Sequence, residues 1–241
     1  MSKEKRKVDY GVDAPGVIRN FLLAGIALLV LARFVPVTVR GVTFLLSPMF
    51  RSTAIGCIAI GVLMVVYSKF MKFRHCDKLL GMVNWRGDEP VLDVGTGAGL
   101  LLIGAAKKLN TGKATGVDVW STVDLSGNTR ERTSRNAEIE GVKEKVEVLS
   151  GDAAAMKFAD GAFDVVLSNL VIHNIPTREG RDKACREIAR VLKPCGVAII
   201  SDFVKARQYQ AEFEKAGLKI SESRWSWGTF PPLRVIKATK M

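Results

Sequence analysis

The chain has 241 residues, a formal net charge of +12 and 48% hydrophobic residues, enough for one full α/β domain and an extra element. Its four cysteines, at 57, 76, 185 and 195, form no Cys-x-x-Cys pair and have only His75 and His173 beside them. A structural zinc site is therefore not expected, and isolated thiols suit a reducing compartment. Residues 1–74 carry 11 Lys/Arg against 3 Asp/Glu, whereas residues 75–241 carry 25 against 21. The basic excess thus sits in the N-terminal third, and no nucleic-acid groove is expected on the rest.

Residues 1–15 read as a basic, polar, poorly ordered tail around Lys3-Glu-Lys-Arg-Lys7. Residues 16–74 then read as a hydrophobic helical hairpin with two membrane-embedded helices. The segment 52–68 has no charge and approaches the ~20 residues that span a bilayer core. Val17 to Val39 is long enough if Arg19 and Arg33 snorkel toward the headgroups. Pro36, Gly41 and Pro48 break the helical pattern between them. Thr53, Cys57 and Gly61, four apart, would let the helices approach closely. From the cations before and after the hairpin, both flanks, and with them residues 75–241, are expected on the cytoplasmic side. A soluble lid or an interfacial anchor is the alternative reading.

His75 to Val83 reads as a helix. Residues 90 to 99, Pro-Val-Leu-Asp-Val-Gly-Thr-Gly-Ala-Gly, follow as a buried parallel strand and a glycine turn, and Leu100 opens the next helix. This arrangement points free N–H groups and a positive dipole end at the turn, where missing Cβ atoms let a ligand approach the main chain. The dinucleotide fingerprint is Gly-x-Gly-x-x-Gly. Here the spacing is Gly95-x-Gly97-x-Gly99, and Asp93 suits an ammonium-bearing ligand better than a pyrophosphate. A nicotinamide-dependent oxidoreductase is therefore disfavoured.

At these residues the sequence resembles the class I S-adenosylmethionine-dependent methyltransferases, of the small-molecule, type 11-like kind, over about residues 77 to 241. The resemblance implies a Rossmann-like α/β fold with a seven-stranded, mainly parallel sheet closed by a C-terminal antiparallel hairpin. The methyltransferase domain is then residues 75–241. It also implies a cofactor set of Asp93, Gly95, Thr96, Gly97, Gly99, Asp118, Val119, Asp152, Ala153 and Asn169.

Ala114 to Trp120 reads as the second strand, and Asp118 falls where a carboxylate takes both ribose hydroxyls. The resemblance gives Asp118 that role and packs Val119 on the adenine. Trp120 and Asp124, on the loop that follows, face either the substrate or solvent. Ser126 or Asn128 caps the next helix, Thr129 to Glu140. After the third strand, Val146 to Leu149, the resemblance lets Asp152 accept from the adenine amine while Ala153 N–H meets a ring nitrogen. Phe163 to Asn169 is the fourth strand, and the stretch ending at Ile175 should lie beside the reactive methyl group.

Ser168-Asn-Leu-Val lacks the Asn/Asp-Pro-Pro-aromatic motif of base-amine methyltransferases, and Pro194-Cys195 lies too late to be a cytosine C5 nucleophile. Cys195 stands in a Lys-Pro-Gly-Gly-like turn and is structural. His173 is either a general base toward an acceptor O–H, N–H or S–H or a pocket-shaping residue. Val197 to Phe203 is the fifth strand, and Tyr209 and Phe213 mark the core face of the helix after it. Leu218 to Trp225 and Leu233 to Lys240 form the closing pair, with Trp227 and Phe230 packed in the core or, alternatively, bordering a lipophilic acceptor pocket. The expected activity is methyl transfer to a small, lipophilic acceptor: a quinol, isoprenoid, lipid or thiol. A membrane-tethered protein methyltransferase and a cofactor-sensing membrane protein are the rivals.

Overall fold

A computed structural model describes residues 7–34, 37–39, 42–44 and 47–241, with backbone only for the two short strands among them. The N-terminal third is a helical hairpin. Helix α1 (Pro15–Leu31) and helix α2 (Ser47–Val66) are joined through antiparallel strands β1 (Val37–Val39) and β2 (Val42–Phe44). The first apolar segment is therefore a 17-residue helix rather than one running to Val39. Pro48 opens α2 instead of breaking it, because a proline in the first turn gives up an N–H that has no intrahelical partner.

The interface uses Gly25, Ala54 and Gly61. A Cβ on Gly25 would lie 2.5 Å from Ile58 Cγ1, and one on Gly61 would lie 2.9 Å from Leu22 Cδ2. Thr53 instead faces outward and donates to Met49 O, so the small-residue stripe is shifted by one position from the expected one. Among the described residues one helix is long and apolar enough to cross a membrane, the continuous rod Ser47–Leu80, while α1 is shorter. The hairpin's outer faces present Leu23, Ile26, Val30, Ile55, Val62 and Leu63 to the surroundings.

Past α2 the rod widens into a π turn at Tyr67–Met71 and continues as α3 (Lys72–Leu80). The strands of the large sheet then alternate with helices: β3 (Pro90–Val94), α4 (Leu100–Ala106), β4 (Lys113–Asp118), α5 (Arg130–Ile139), β5 (Val146–Ser150), β6 (Phe163–Asn169), α6 (Arg178–Val191), β7 (Leu192–Asp202), α7 (Ala206–Lys215), β8 (Leu218–Ser226) and β9 (Leu233–Lys240). The seven strands lie in the order β5-β4-β3-β6-β7-β9-β8, with β9 antiparallel to both neighbours. The chain reverses its direction of growth between β3 and β6. In open α/β sheets a ligand crevice forms at that switch point, outside the carboxyl ends of the strands.

Each face has its own core. Leu79, Leu102, Val91 and Leu167 pack under α3 and α4, and Ile188, Tyr209, Phe213 and Val166 pack under α6 and α7. The strand alternation follows from this two-sided burial: β3 is almost wholly buried, as its continuous apolar run requires.

Residues 9–14 are not a loose tail. Asp13 bridges to Leu125, Val12 exchanges bonds with Ser126, and Ala14 N–H donates to Asp124 O. Buried Lys72 donates to the carbonyls of Tyr10 and Gly11 at 2.7 and 2.9 Å and pairs with Asp13. The lysines at 3 and 5 lie outside the described residues. The first described stretch is thus held because its main-chain groups find partners on both sides.

Candidate active site

The glycine turn leaves β3 with Gly95, Gly97 and Gly99 all left-handed, at φ 71°, 54° and 87°. The turn is also closely packed. A Cβ on Gly95 would sit 2.2 Å from Val171 Cγ2, and one on Gly97 3.0 Å from Leu125 Cδ2. Side chains from the loops after β6 and β4 therefore close on the glycines, in addition to the main-chain access expected from the sequence. Below the turn Asp93 is buried, and its Oδ2 accepts from Thr96 Oγ1 at 2.8 Å. Burial pushes the Asp93 carboxyl up to about 7, against the opposing pull of Thr96 and the Leu102 N–H.

That upward shift has a sign. Between the ordinary carboxylate range and about pH 7 the folded state holds more protons at Asp93 than the unfolded chain, so this group's stability contribution is lost as pH rises through that window. Asp93→Asn is expected to melt higher relative to the parent at pH 7.5 than at pH 5. Paired thermal melts check this, and an equal offset at both pH values would refute it.

Asp118 closes β4 and is buried. Its Oδ2 accepts from Gly97 N–H at 2.8 Å, and its Oδ1 accepts from Trp120 N–H at 2.6 Å and from Asn128 Nδ2 at 3.2 Å. The carboxylate thus clamps the glycine turn to the next loop and keeps about one further acceptor direction for a ribose hydroxyl. Val119 beside it is 66% exposed, an apolar side chain standing open at the strand end. Asp152 is exposed, one oxygen accepting from Ala154 N–H at 2.8 Å and the other free, with buried Ala153 behind it.

The helix cap differs from expectation. Thr129 caps α5 by accepting from Arg132 N–H, because Ser126 is engaged by the 9–14 strap and Asn128 by Asp118. Asp124 likewise meets that strap through its carbonyl, and Trp120 donates to Ser150 Oγ.

On the far side of the crevice a short 3-10 turn after β6 carries His173. Its Nδ1 lies 2.8 Å from Oδ1 of buried Asp202, the last residue of β7. Asp202 also accepts from the main-chain N–H groups of His173 and Phe203, and Phe203 packs edge-on against the imidazole at 4.6 Å. Nδ1 and Oδ1 are within ion-pair distance but not aligned as an N–H···O hydrogen bond; with Nδ1 turned to the carboxylate, Nε2 is left for whatever occupies the crevice. Asp202 was missed in the sequence, where it is an unmarked acid at a strand end. Asn169 ends β6, opposite Ser201 of β7, with a buried and unpaired Oδ1.

One sequence expectation fails near this end. Trp227 is exposed rather than core, its ring 6.0 Å from that of exposed Trp225, over which Arg234 lies. The two tryptophans flank buried Ser226, whose hydroxyl reaches His75 of α3. Cys195 is structural in the expected sense: it is exposed at φ 62°, in a backbone conformation that a glycine adopts more easily. Among the described residues no cluster of His, Cys, Asp and Glu is suited to a metal.

A family model described as a methyltransferase domain matches residues 92–200. A sterol 24-C-methyltransferase of Aspergillus fumigatus is 35% identical over 138 residues, covering 56% of this chain and 33% of that protein. A ubiquinone/menaquinone biosynthesis C-methyltransferase of Dinoroseobacter shibae is 28% identical over 155 residues, covering 63% of this chain and 56% of that one. The matches thus span a third to little more than half of these relatives' lengths. Among solved structures, the cyclase SpnF superposes with a TM-score of 0.59 at 17% identity, covering 95% of this chain and 98% of the other, a likeness of fold alone.

Proposed function

We propose that the chain is a class I S-adenosylmethionine-dependent methyltransferase that transfers a methyl group to a small lipophilic acceptor at a membrane, a reading supported by the methyltransferase-domain match over residues 92–200 and by its relatives. The observation that carries the reading is a set of groups at one sheet end: a left-handed glycine turn, Asp118 clamped to it, open Asp152 and the His173–Asp202 pair. The donor set fits the cofactor. Asp118 retains a lone-pair direction for the ribose, Asp152 a free oxygen for the adenine amine, and Val119 an apolar face for the ring. Asp93 and Thr96 underpin the turn that faces the amino acid end, and Ala153 and Asn169 line the crevice beside them.

When bound, S-adenosylmethionine supplies a methyl group already activated on a sulfonium. The chain's task is then to orient the acceptor and remove its proton. Nε2 of His173 is the group placed to take that proton, with Asp202 beside the ring to stabilise the imidazolium that results.

The lipophilic acceptor is inferred from the rod Ser47–Leu80, which runs without a break from the apolar hairpin to His75 at the catalytic end. Exposed Phe70, Phe73, Trp225 and Trp227 near that junction suit a membrane–water interface. The hairpin is read as embedded, with the enzyme domain on the cytoplasmic side. Incubating membranes that carry the full chain with methyl-labelled S-adenosylmethionine tests this. Label in the solvent-extractable fraction is expected, and label confined to protein would replace this reading with a protein methyltransferase.

The cofactor assignments separate by variant. Asp152→Ala is expected to weaken S-adenosylmethionine binding by about 1–2 kcal/mol with an unchanged melting temperature, because only an exposed hydrogen bond is lost. Asp118→Ala should weaken binding and lower stability together, by about 1–3 kcal/mol, since it strands the Gly97 and Trp120 N–H groups. Calorimetric titration alongside thermal melts reads both. A destabilised Asp152→Ala with intact binding would reverse the assignment.

A further inference from the structure

Outside the crevice, a cavity of about 460 Å³ opens at the base of α1. None of the residues assigned to the cofactor lines it. Its walls include Val12 of the 9–14 strap, Ser126 of the loop before α5, and Ile18, Arg19, Leu22 and Leu23 of α1. That volume lies within the range of small-ligand sites. Leu23 is exposed, which leaves the cavity open toward the outer face of the hairpin. On the strap side the polar groups are already engaged: Val12 N–H donates to Ser126 Oγ at 2.9 Å, and Ser126 O accepts from Arg132. What faces the cavity is therefore hydrocarbon and one guanidinium.

Arg19 is exposed and, among the described residues, enters no ion pair. The acids of the strap are taken elsewhere, Asp9 by Arg132 at 2.6 Å and Asp13 by Lys72 at 3.3 Å. No acid stands in the first turn of α1, so Arg19 adds to the positive end of the helix dipole. Residues 1–74 as a whole carry 11 Lys/Arg against 3 Asp/Glu. The field at the base of α1 thus favours an anion, and a guanidinium fork matches a phosphate with two parallel hydrogen bonds. The walls favour a hydrocarbon chain. An amphiphile with a phosphate at one end meets both demands.

We infer that this groove seats an anionic phospholipid, with one acyl chain against Ile18, Leu22 and Leu23 and its phosphate on Arg19. The inference rests on the embedded reading of the hairpin, which puts Arg19 beside the cytoplasmic leaflet and its anionic lipids. It does not depend on methyl transfer. Because the chain also packs on Val12 and Ser126, the lipid braces the stitch between the strap and the loop whose Leu125 reaches Gly97.

The test offers the full chain, in mild detergent, equal amounts of phosphatidylglycerol and phosphatidylcholine, and counts retained lipid by native mass spectrometry. The parent is expected to keep phosphatidylglycerol about fivefold more than phosphatidylcholine, the preference that one cation near a lipid surface confers. Arg19→Gln should remove that preference, while Arg33→Gln, past the other end of α1, should leave it in place. Leu23→Trp fills the groove and should lower retention of both lipids. Free glycerol phosphate should not displace the lipid. A parent without preference, a preference that survives in Arg19→Gln, or unchanged retention in Leu23→Trp overturns the inference. Displacement by glycerol phosphate also overturns it, since the site would then take a free anion. A chain stripped from membranes by alkaline carbonate would remove the embedded reading and the inference with it, whereas an embedded chain that ignores headgroup charge removes the inference alone.

Discussion

His173→Ala is expected to lower turnover about 10²-fold or more while leaving S-adenosylmethionine affinity nearly unchanged. The imidazole has neighbours on two sides, Asp202 Oδ1 at 2.8 Å from Nδ1 and the Phe203 ring edge-on, and these limit its orientation before any acceptor arrives. Asp202 acts through His173 and is a positioning residue. Asp202→Asn keeps the volume but replaces one acceptor oxygen with an amide that cannot receive the His173 and Phe203 N–H groups together. Its turnover should fall with a displaced pH–rate profile, whereas a purely structural Asp202 would lower stability and leave the profile in place. Single-turnover rates between pH 6 and 9 distinguish these. Unchanged turnover in His173→Ala would leave the histidine only a wall of the pocket.

The second large effect is expected at Gly95. A methyl group there meets Val171 Cγ2 at 2.2 Å, and φ 71° is itself unfavourable for alanine. Both the turn and the loop after β6 must move to accommodate it. Gly95→Ala should lose about 1–3 kcal/mol of stability and measurable cofactor binding. Gly97→Ala meets only the end of the flexible Leu125 side chain, at 3.0 Å, so strain without a hard clash predicts a milder loss. Equal affinities for the two variants would show that Val171 is not part of the wall around the turn.

Much of this architecture was legible because its signals are local. The run Pro90 to Val94, the glycines and the apolar start of α4 fix strand, turn and helix without outside help. Phe163 to Asn169 matches β6 to the residue, since two-sided burial leaves a continuous apolar run. The rest depends on contacts distant in sequence. Asp202 gains meaning only from His173, 29 positions earlier. Ser126 and Asn128 looked like caps until tertiary partners claimed them, which left Thr129 to do the capping. Trp227 invited a core reading because aromatics in a closing hairpin usually pack, yet it lies open beside Trp225.

The strap at residues 9–14 has a practical consequence. It is stitched on one flank to Ser68 and Lys72 and on the other to residues 124–126, whose Leu125 rests over Gly97. A fragment trimmed to begin at residue 75 would shed more than the apolar hairpin. It would lose a structural wall of the nucleoside crevice, so weak binding by such a fragment would reflect the trimming rather than the enzyme.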